Sequence, residues 1–452
     1  MKSQCGVLRI HGLTVLVAWL CLLPGAYGLP SFARQTGQKC AACHVGGNWP
    51  QLTPWGRFFK LSGYTAGKAI VNKEGDVRLP AGLFGQAGLT WAARPNDTQG
   101  QAIIDHNGIP QYYEVTGEVA TKVTNFLGVF YEYQVGNTFP GWKGTTGAAD
   151  IRAVRFFHLG TNEILAGIDS NNSPTVQDVW NSVPDWTFPY YSSPQSLSGP
   201  ASPIIGNLGG QSGSIGAYAL VNRQFYIEAS FYRVATGFFR WMSAGTSFQK
   251  GGENYLEGYN PYWRAYWEKA HGPHSFMVGT LGMNARVYPD SSNPSGPFDR
   301  FTDYGFDSQY QYLGGIHKIT MNGSYIYEHQ SWDASYLVGS TAVPKGNLKA
   351  LNLNGSYAYH NKWAFHGGYF LTNGNNDTGR YAITSPAGDL VTASPKTTGY
   401  TLELDRHVTQ NVQLSAQYRG FVRFNGLRHN VDGNGRNASD NNTLWLSVFF
   451  AF

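Results

Sequence analysis

Apolar and polar residues alternate along many segments of about ten residues in this chain. A period of two places neighbouring side chains on opposite faces of a β-strand. The alternation is clear in the apolar series Val115, Val119 and Val123 among Glu114, Thr116, Glu118 and Lys122, in Tyr400, Leu402 and Leu404 among Thr401, Glu403 and Asp405, and in the C-terminal series Leu444, Leu446, Val448, Phe450 and Phe452. The pattern therefore predicts strands with one apolar and one polar face.

About 16 such segments follow one another between residues 81–93 and 441–452. Long connections rich in glycine, proline and polar residues alternate with short turns at Thr124 and Asn125, Gly160 and Thr161, Asn222 and Arg223, Gly314 and Gly315, Asn361, and Thr409 and Gln410. Outer-membrane barrels have short periplasmic turns and long outer loops. We therefore predict an all-β fold, a transmembrane antiparallel β-barrel of about 16 strands over residues 77–452.

The longest connection, about residues 170–212, contains several prolines and the aromatic residues Trp180, Trp186, Tyr190 and Tyr191. We expect it to be ordered on or over the barrel mouth. Composition agrees with a barrel, because 13% of residues are charged, 15% are aromatic and 56 are glycine. The alternative for the C-terminal series is the last strand of a soluble β-domain.

The N-terminus predicts export. Lys2 and Arg9 precede an apolar run from Leu13 to Leu23, and the small residues Ala26 and Gly28 follow. This is the pattern of a secretory signal peptide, here residues 1–28. The apolar run is shorter than the roughly 20 residues of a membrane anchor, and Cys21 lacks the small preceding residues of a lipoprotein. Without Lys2 and Arg9 the chain keeps 31 basic and 28 acidic residues, too balanced to predict a nucleic-acid partner.

The sequence Cys40-Ala-Ala-Cys43-His44 predicts one covalently attached haem c. Each thiol can add to a haem vinyl group, and the adjacent imidazole can bind the iron as the proximal ligand. A disulfide or a two-cysteine redox motif is the alternative, but neither requires His44. Because Cys5 and Cys21 lie in the predicted signal peptide, the mature chain would keep only the haem pair.

The haem segment, residues 29–76, is too short to build a large core of its own. A haem hanging in the periplasm would lie below an apolar band about 25 Å tall, out of reach of an extracellular donor. A barrel of about 16 strands has a lumen wide enough for a plug. We therefore expect this small N-terminal c-type haem segment to plug the lumen.

The stretches FARQTG (32–37), CAACH (40–44) and LTPWGRFFKLSGY (52–64) resemble the fused cytochrome and porin of iron-oxidising bacteria. The order of signal peptide, single haem motif and barrel is also similar. The resemblance implies that Cys40 and Cys43 hold the haem and that His44 is its proximal ligand. It also implies that residues 52–64 shape the haem surroundings, with Arg57 and Lys60 either pairing with the propionates or lying on a solvated turn.

In that family the protein lies in the outer membrane of a Gram-negative bacterium. The resemblance therefore implies a one-electron Fe(II) oxidase that takes electrons from extracellular Fe(II) through one haem and reduces a periplasmic cytochrome or copper protein. Two alternatives stay open, which are a conduit for another donor such as a mineral or a cathode, and a diffusion porin with a structural or sensory haem segment. The sequence contains no persuasive catalytic triad, phosphate loop or zinc-ligand spacing.

The sixth ligand of the haem iron is not evident, since no methionine or second histidine occurs between His44 and His106. We expect Met277, Met283 and Met321 to face lipid. One histidine near the predicted short turns could bind the haem iron, and the alternative is that all of these histidines are solvated turn residues. They are His158, His271, His274, His317, His360, His366 and His407. Carboxylates suited to a transient ferrous ion are dispersed over the predicted outer loops: Asp97, Asp105, Asp169, Asp178, Asp185, Asp290, Asp299, Asp333, Asp377, Asp432 and Asp440.

Overall fold

The structure is a computed structural model that describes residues 30–47, 50–71, 77–97, 100–137, 142–245 and 254–452. Within these residues, 16 long strands form an antiparallel barrel. They are β1 (Ala81–Ala92), β2 (Gln111–Lys122), β3 (Leu127–Asn137), β4 (Trp142–Leu159), β5 (Asn162–Asn171), β6 (Ser212–Val221), β7 (Phe225–Val234), β8 (Asn260–His271), β9 (His274–Tyr288), β10 (Asp299–Leu313), β11 (His317–Ser331), β12 (Lys345–Tyr359), β13 (Trp363–Gly374), β14 (Thr397–His407), β15 (Val412–Arg423) and β16 (Thr443–Ala451).

The sheet is closed, because β1 pairs with β2 on one side and with β16 on the other. Turns of two to four residues follow β2, β4, β6, β8, β10, β12 and β14, and they all lie at one end of the barrel, the short-turn end. The predicted all-β barrel and its short turns are confirmed. A closed antiparallel barrel with short turns at one end has the architecture of an outer-membrane barrel, in which the short turns face the periplasm. No helix in the described part of the chain is long and apolar enough to cross a membrane.

Strand alternation separates a lipid face from a lumen face. On β14, Leu402 and Leu404 are 43% and 48% exposed, whereas Thr401 and Asp405 are each 1% exposed. The outward residues are apolar because they meet lipid, and the inward ones are polar because they meet the contents of the lumen. The predicted alternation near position 400 and at the C-terminus is confirmed.

A register shift on β2 turns one residue against this alternation. The pairing of β1 with β2 slips between Gln86 and Ala87, at Tyr113. Tyr113 is 6% exposed and stacks edge-on against Trp445, with ring centroids 6.0 Å apart. A β-bulge re-aims a side chain in this way without ending the strand.

The N-terminal residues 30–47 and 50–71, here called the plug, lie inside the barrel. They contain the short helices α1 (Ser31–Thr36), α2 (Cys40–Cys43) and α3 (Pro54–Leu61). Phe32 stacks on Tyr64 with ring centroids 5.0 Å apart, and the Tyr64 hydroxyl donates a 2.5 Å hydrogen bond to Asp150 on the lumen face of β4. At Gly128 the plug touches the wall so closely that an added Cβ would lie 2.1 Å from the Gly63 carbonyl oxygen.

Residues 172–211, here called the inward loop, enter the lumen from the opposite end. The loop contains α4 (Pro174–Gln177), and its Trp180 and Val183 are 1% and 0% exposed. It crosses to distant strands through hydrogen bonds of Ser182 to Asp307 (2.5 Å), Ile204 to Glu328 (2.6 Å) and Gln417 to Tyr191 (2.7 Å). The loop is ordered as predicted, but it lies in the lumen rather than over the mouth, because its apolar side chains find a buried surface there.

The predicted signal peptide, residues 1–28, lies outside the described residues, as do Cys5 and Cys21 and the predicted domain boundary near residue 76. The division into residues 1–28, 29–76 and 77–452 stays a prediction.

Candidate functional site

Cys40 and Cys43 lie at the two ends of the single turn of α2, and both are free thiols. The His44 amide donates a 2.9 Å hydrogen bond to the Cys40 carbonyl, which closes this turn and fixes the imidazole directly beside the second thiol. The predicted haem residues are therefore gathered on one backbone turn.

Helix α3 packs directly against the Cys40–Cys43 turn. Thr53 caps α3 by accepting a 3.1 Å hydrogen bond from the Gly56 amide, and the Thr53 amide donates a 2.8 Å bond to the Cys43 carbonyl. A Cβ added at Gly56 would lie 2.2 Å from the Cys43 carbonyl oxygen. The glycine in the 52–64 motif is thus required by the contact between α3 and α2.

The chemistry of these donors suits a haem c. Burial lowers the pKa of His44 to about 4, so the imidazole is neutral, which is the form that binds a metal. Burial also raises the pKa of Cys43 to about 11 and raises that of Cys40, so both remain thiols. Two thiols on one turn with an adjacent neutral imidazole fit thioether attachment and proximal ligation of a haem.

The turn lies near the short-turn end of the barrel. The Cys40 sulfur is 4.0 Å from the carbonyl oxygen of Gln410, in the turn between β14 and β15. Val45 donates a 2.9 Å hydrogen bond to the Gln51 carbonyl, and the Gln51 side chain accepts a 3.0 Å bond from Ser356 on β12. Contacts to the barrel wall therefore hold the haem motif on both sides.

Arg57 and Lys60 have a role that neither sequence alternative included. Arg57, 1% exposed, forms a 2.5 Å ion pair with Glu268, and its guanidinium stacks over Trp180 at 3.7 Å. Lys60 donates to the carbonyl oxygens of Val176 and Asp178 in the inward loop. Both cations join the plug to its surroundings, so the expected solvated turn is wrong, and the structure gives no support to propionate pairing.

Two of the three methionines differ from prediction. Met321 is 58% exposed on the lipid face as predicted, but Met277 and Met283 are 2% and 1% exposed. Met277 belongs to the same buried cluster as Leu61 of the plug. The prediction fails because a filled lumen accepts apolar side chains, so an apolar residue does not identify the lipid face.

The outer-loop aspartates are only partly surface groups. Asp169, Asp178, Asp299 and Asp377 are buried, between 2% and 4% exposed, so the expectation of dispersed surface donors is wrong for these four. Asp299, for example, accepts backbone hydrogen bonds from Ala334 (2.9 Å) and Ser335 (3.0 Å). Asp178, Asp299 and Asp377 thus serve as structural hydrogen-bond acceptors, whereas neither carboxylate oxygen of Asp169 has a hydrogen-bond partner among the described residues.

The predicted histidines do lie near the short turns, but one differs from the rest. His158, His271, His317 and His360 are exposed, and His274 and His407 are half-buried. His366 is 1% exposed on the lumen face of β13.

Strand register brings His366 next to two carboxylates. His366 pairs directly with Glu403 on β14, and Asp405 is the next residue on the same face. The His366 Nε2 atom lies 3.1 Å from Asp405 Oδ2, and possible ligand atoms of the three residues all lie within 4.8 Å of one another. We call these residues the His366 cluster. Sequence alternation put Glu403 and Asp405 on a polar face, but no sequence signal gave the register with β13.

The inward loop covers the His366 cluster. Phe188 stacks on the imidazole with ring centroids 5.6 Å apart, and Tyr190 meets it edge-on at 6.3 Å. A small cavity remains, lined by the cluster and by Gln86, Tyr190, Tyr191, Gln413, Ser415, Trp445, Ser447 and Phe449. Because Ser356 is the cross-strand neighbour of His366, the cluster is close to Gln51 and hence to the haem motif.

The chain matches no protein-family model and no curated protein. Several solved structures are similar to it. OprB of Pseudomonas putida has 11% identity and a TM-score of 0.48 over 82% of this chain and 93% of that structure. The outer membrane channel DcaP of Acinetobacter baumannii has 12% identity and a TM-score of 0.43 over 82% of this chain and 96% of that structure. An anion-selective porin from Comamonas acidovorans has 10% identity and a TM-score of 0.43 over 82% of this chain and 99% of that structure.

Proposed function

We propose that this chain is an outer-membrane electron-transfer protein that oxidises extracellular Fe(II) and reduces a periplasmic cytochrome or copper protein. The observation that carries the proposal is the location of Cys40, Cys43 and His44 inside a closed barrel, with Cys40 4.0 Å from a short-turn residue. A haem attached there supplies one-electron redox chemistry close to the periplasmic end. The surrounding lipid of the outer membrane meets the apolar outer face of the strands.

The residues of this chain bind, orient and shield the group. Cys40 and Cys43 would form the thioether bonds, and His44 would ligate the iron from one side. The backbone bonds of Thr53 and the contact of Gly56 with Cys43 hold the motif in place. The inward loop and the plug exclude bulk water from the lumen above it.

A one-electron donor needs no general acid, base or nucleophile in this reaction. Each Fe(II) that becomes Fe(III) gives up one electron, and each acceptor molecule on the periplasmic side gains one. The filled lumen supports an exchange in which electrons, rather than solutes, cross the membrane. A mineral or a cathode as donor is compatible with the same structure and differs only in the outer partner.

The test is anaerobic rapid mixing of oxidised protein with Fe(II), followed through the haem absorption bands. We expect prompt reduction, and we expect it to be absent in His44→Ala. Dithionite is the control, because it reduces a haem whatever the natural donor is. A haem that dithionite reduces and Fe(II) leaves oxidised would overturn the choice of donor.

The second candidate is a diffusion porin whose haem segment is structural or sensory. What favours it is the barrel itself, since 16 strands can surround an aqueous channel. Conductance of single molecules in a planar bilayer separates the two candidates. Porin-like conductance of the wild-type protein would favour the porin, whereas a closed lumen supports the electron-transfer proposal.

A further inference from the structure

The His366 cluster contains two buried carboxylates and has no arginine or lysine partner among the described residues. Some buried carboxylates have an arginine partner, such as Asp150 with Arg152 at 2.8 Å, and others, such as Asp303 and Glu328, have no ion pair among the described residues. Among the described residues, the ion-pair partner of Asp405 is His366, and Glu403 has no ion pair. Two carboxylates and one imidazole in a buried site therefore lack a full positive counter-charge.

Two atoms of the cluster also lack a hydrogen-bond partner among the described residues, Asp405 Oδ1 and His366 Nε2. Asp405 is 1% exposed, and its Oδ1 atom accepts no hydrogen bond from any described residue. A buried carboxylate oxygen without a partner is costly, and such atoms are usually paired or bound to a metal. The other oxygen of Asp405, Oδ2, lies 3.1 Å from His366 Nε2. Oδ1 is therefore the oxygen of Asp405 that is available to a further ligand.

The geometry of the cluster suits one small cation. Possible ligand atoms of His366, Glu403 and Asp405 lie within 4.8 Å of one another, so small side-chain shifts would bring them around a single ion. The adjoining cavity measures about 10 Å³, close to the space of one water molecule or one ion. One imidazole and two carboxylates are a ligand set for divalent first-row transition metals.

We propose that His366, Glu403 and Asp405 form a binding site for one divalent transition-metal ion inside the barrel. A divalent cation would neutralise both carboxylates and give Asp405 Oδ1 a partner. That this ion is Fe(II) on its way to oxidation rests on the proposed function. The site then holds the substrate next to the plug, since Ser356, the strand neighbour of His366, is bonded to Gln51.

The test titrates the purified full-length protein with Mn²⁺ and follows the free ion by its EPR signal. Mn²⁺ accepts the same ligands and does not reduce a haem. We expect one bound Mn²⁺ per chain that Fe(II) displaces, and an affinity at least tenfold weaker in Asp405→Asn and in His366→Gln. Two different variants are used because either one alone could fail to fold. The difference in gel migration between heated and unheated samples shows whether each barrel is folded.

Asp303→Asn is the matched control. Asp303 is also a buried lumen carboxylate, 1% exposed, and its Oδ1 atom likewise has no hydrogen-bond partner among the described residues. It differs from Asp405 because, in the described part of the chain, it belongs to no group of metal-ligating side chains with a histidine. We expect Asp303→Asn to bind Mn²⁺ as the wild type does. The proposal is overturned if the wild type binds no Mn²⁺, or if folded Asp405→Asn and His366→Gln bind it unchanged.

The haem spectrum gives a further decision. If His366→Gln shifts the haem absorption bands while Mn²⁺ binding stays unchanged, the imidazole serves the haem and the metal site is overturned. Failure of the metal site is distinguishable from failure of the proposed function. If the protein binds no Mn²⁺ but Fe(II) rapidly reduces its haem, the metal site is overturned and the proposed function stands. If the protein binds Mn²⁺ but Fe(II) does not reduce its haem, the metal site stands and the proposed function is overturned.

Discussion

The guanidinium carbon of Arg57 lies 3.7 Å from the ring centroid of Trp180, which joins the plug to the inward loop. Both side chains are 1% exposed. The same arginine is paired with Glu268 on β8, so one residue contacts the plug, the loop and the wall. Such a buried, stacked and paired arginine holds two separate chain segments in one arrangement.

Replacing Arg57 by alanine should loosen the plug. The change leaves Glu268 without its ion-pair partner and opens a gap under Trp180, at a cost of about 3 kcal/mol. We expect the free energy of unfolding to fall by that order and the bilayer conductance to rise above that of the wild type. Arg300→Ala is the control. The side chains of Arg300 and its ion-pair partner Asp333 are 63% and 40% exposed, so the loss of this pair should change stability little. An Arg57→Ala channel that stays as closed as the wild type would show that the plug is held elsewhere.

Replacing Gly56 by alanine should reduce haem attachment. The new Cβ would be 2.2 Å from the Cys43 carbonyl oxygen, so α3 and the haem motif must separate, which typically costs about 1–3 kcal/mol. We expect less covalently bound haem per folded chain, measured by the pyridine haemochrome spectrum. Gly117→Ala is the matched control, since an added Cβ there meets nothing within 4 Å. Equal haem content in the two variants would contradict the role given to Gly56.

The stability of the protein should rise between neutral and alkaline pH because of Lys60. Burial lowers the pKa of Lys60 to about 8, below the value of about 10.4 in an unfolded chain. The unfolded chain therefore binds more protons between these two values, and stability rises with pH across that window. We expect a gain of about 2 kcal/mol between about pH 7.5 and about pH 9.5 from this group.

Urea unfolding of the wild type and Lys60→Met at both pH values isolates this effect. The buried tyrosines are common to both proteins, so they cancel in the difference. We expect Lys60→Met to lack the gain and Lys345→Met, which removes an exposed lysine, to keep it. The same pH dependence in Lys60→Met and in the wild type would refute the assignment.

Much of the barrel could be predicted from the sequence because its physics is local. Lipid on one face and a polar lumen on the other impose a period of two, as at Leu402 and Asp405. Short turns such as 160–161 need few residues and carry characteristic glycine or asparagine. The haem motif is local too, since Cys40, Cys43 and His44 lie within one turn.

The contents of the lumen could not be predicted, because they depend on contacts between distant segments. The pairing of His366 with Glu403 depends on strand register. Alternation does not determine this register, because a long loop, residues 375–396, rather than a short turn connects β13 with β14. Met277 packs in one buried cluster with Leu61 of the plug, and the sequence does not distinguish this position from a lipid-facing one because an apolar residue suits both. Arg57 and Lys60 likewise take partners more than 100 residues away.

We propose that one haem held by Cys40, Cys43 and His44 connects an outer electron donor with a periplasmic acceptor through a plugged barrel. Proteoliposomes containing the protein test it, with Fe(II) added outside and an oxidised c-type cytochrome sealed inside. We expect the sealed cytochrome to be reduced with the wild type and to stay oxidised with His44→Ala. Reduction that is equal in both, or absent with a wild-type protein carrying its covalent haem, would contradict it.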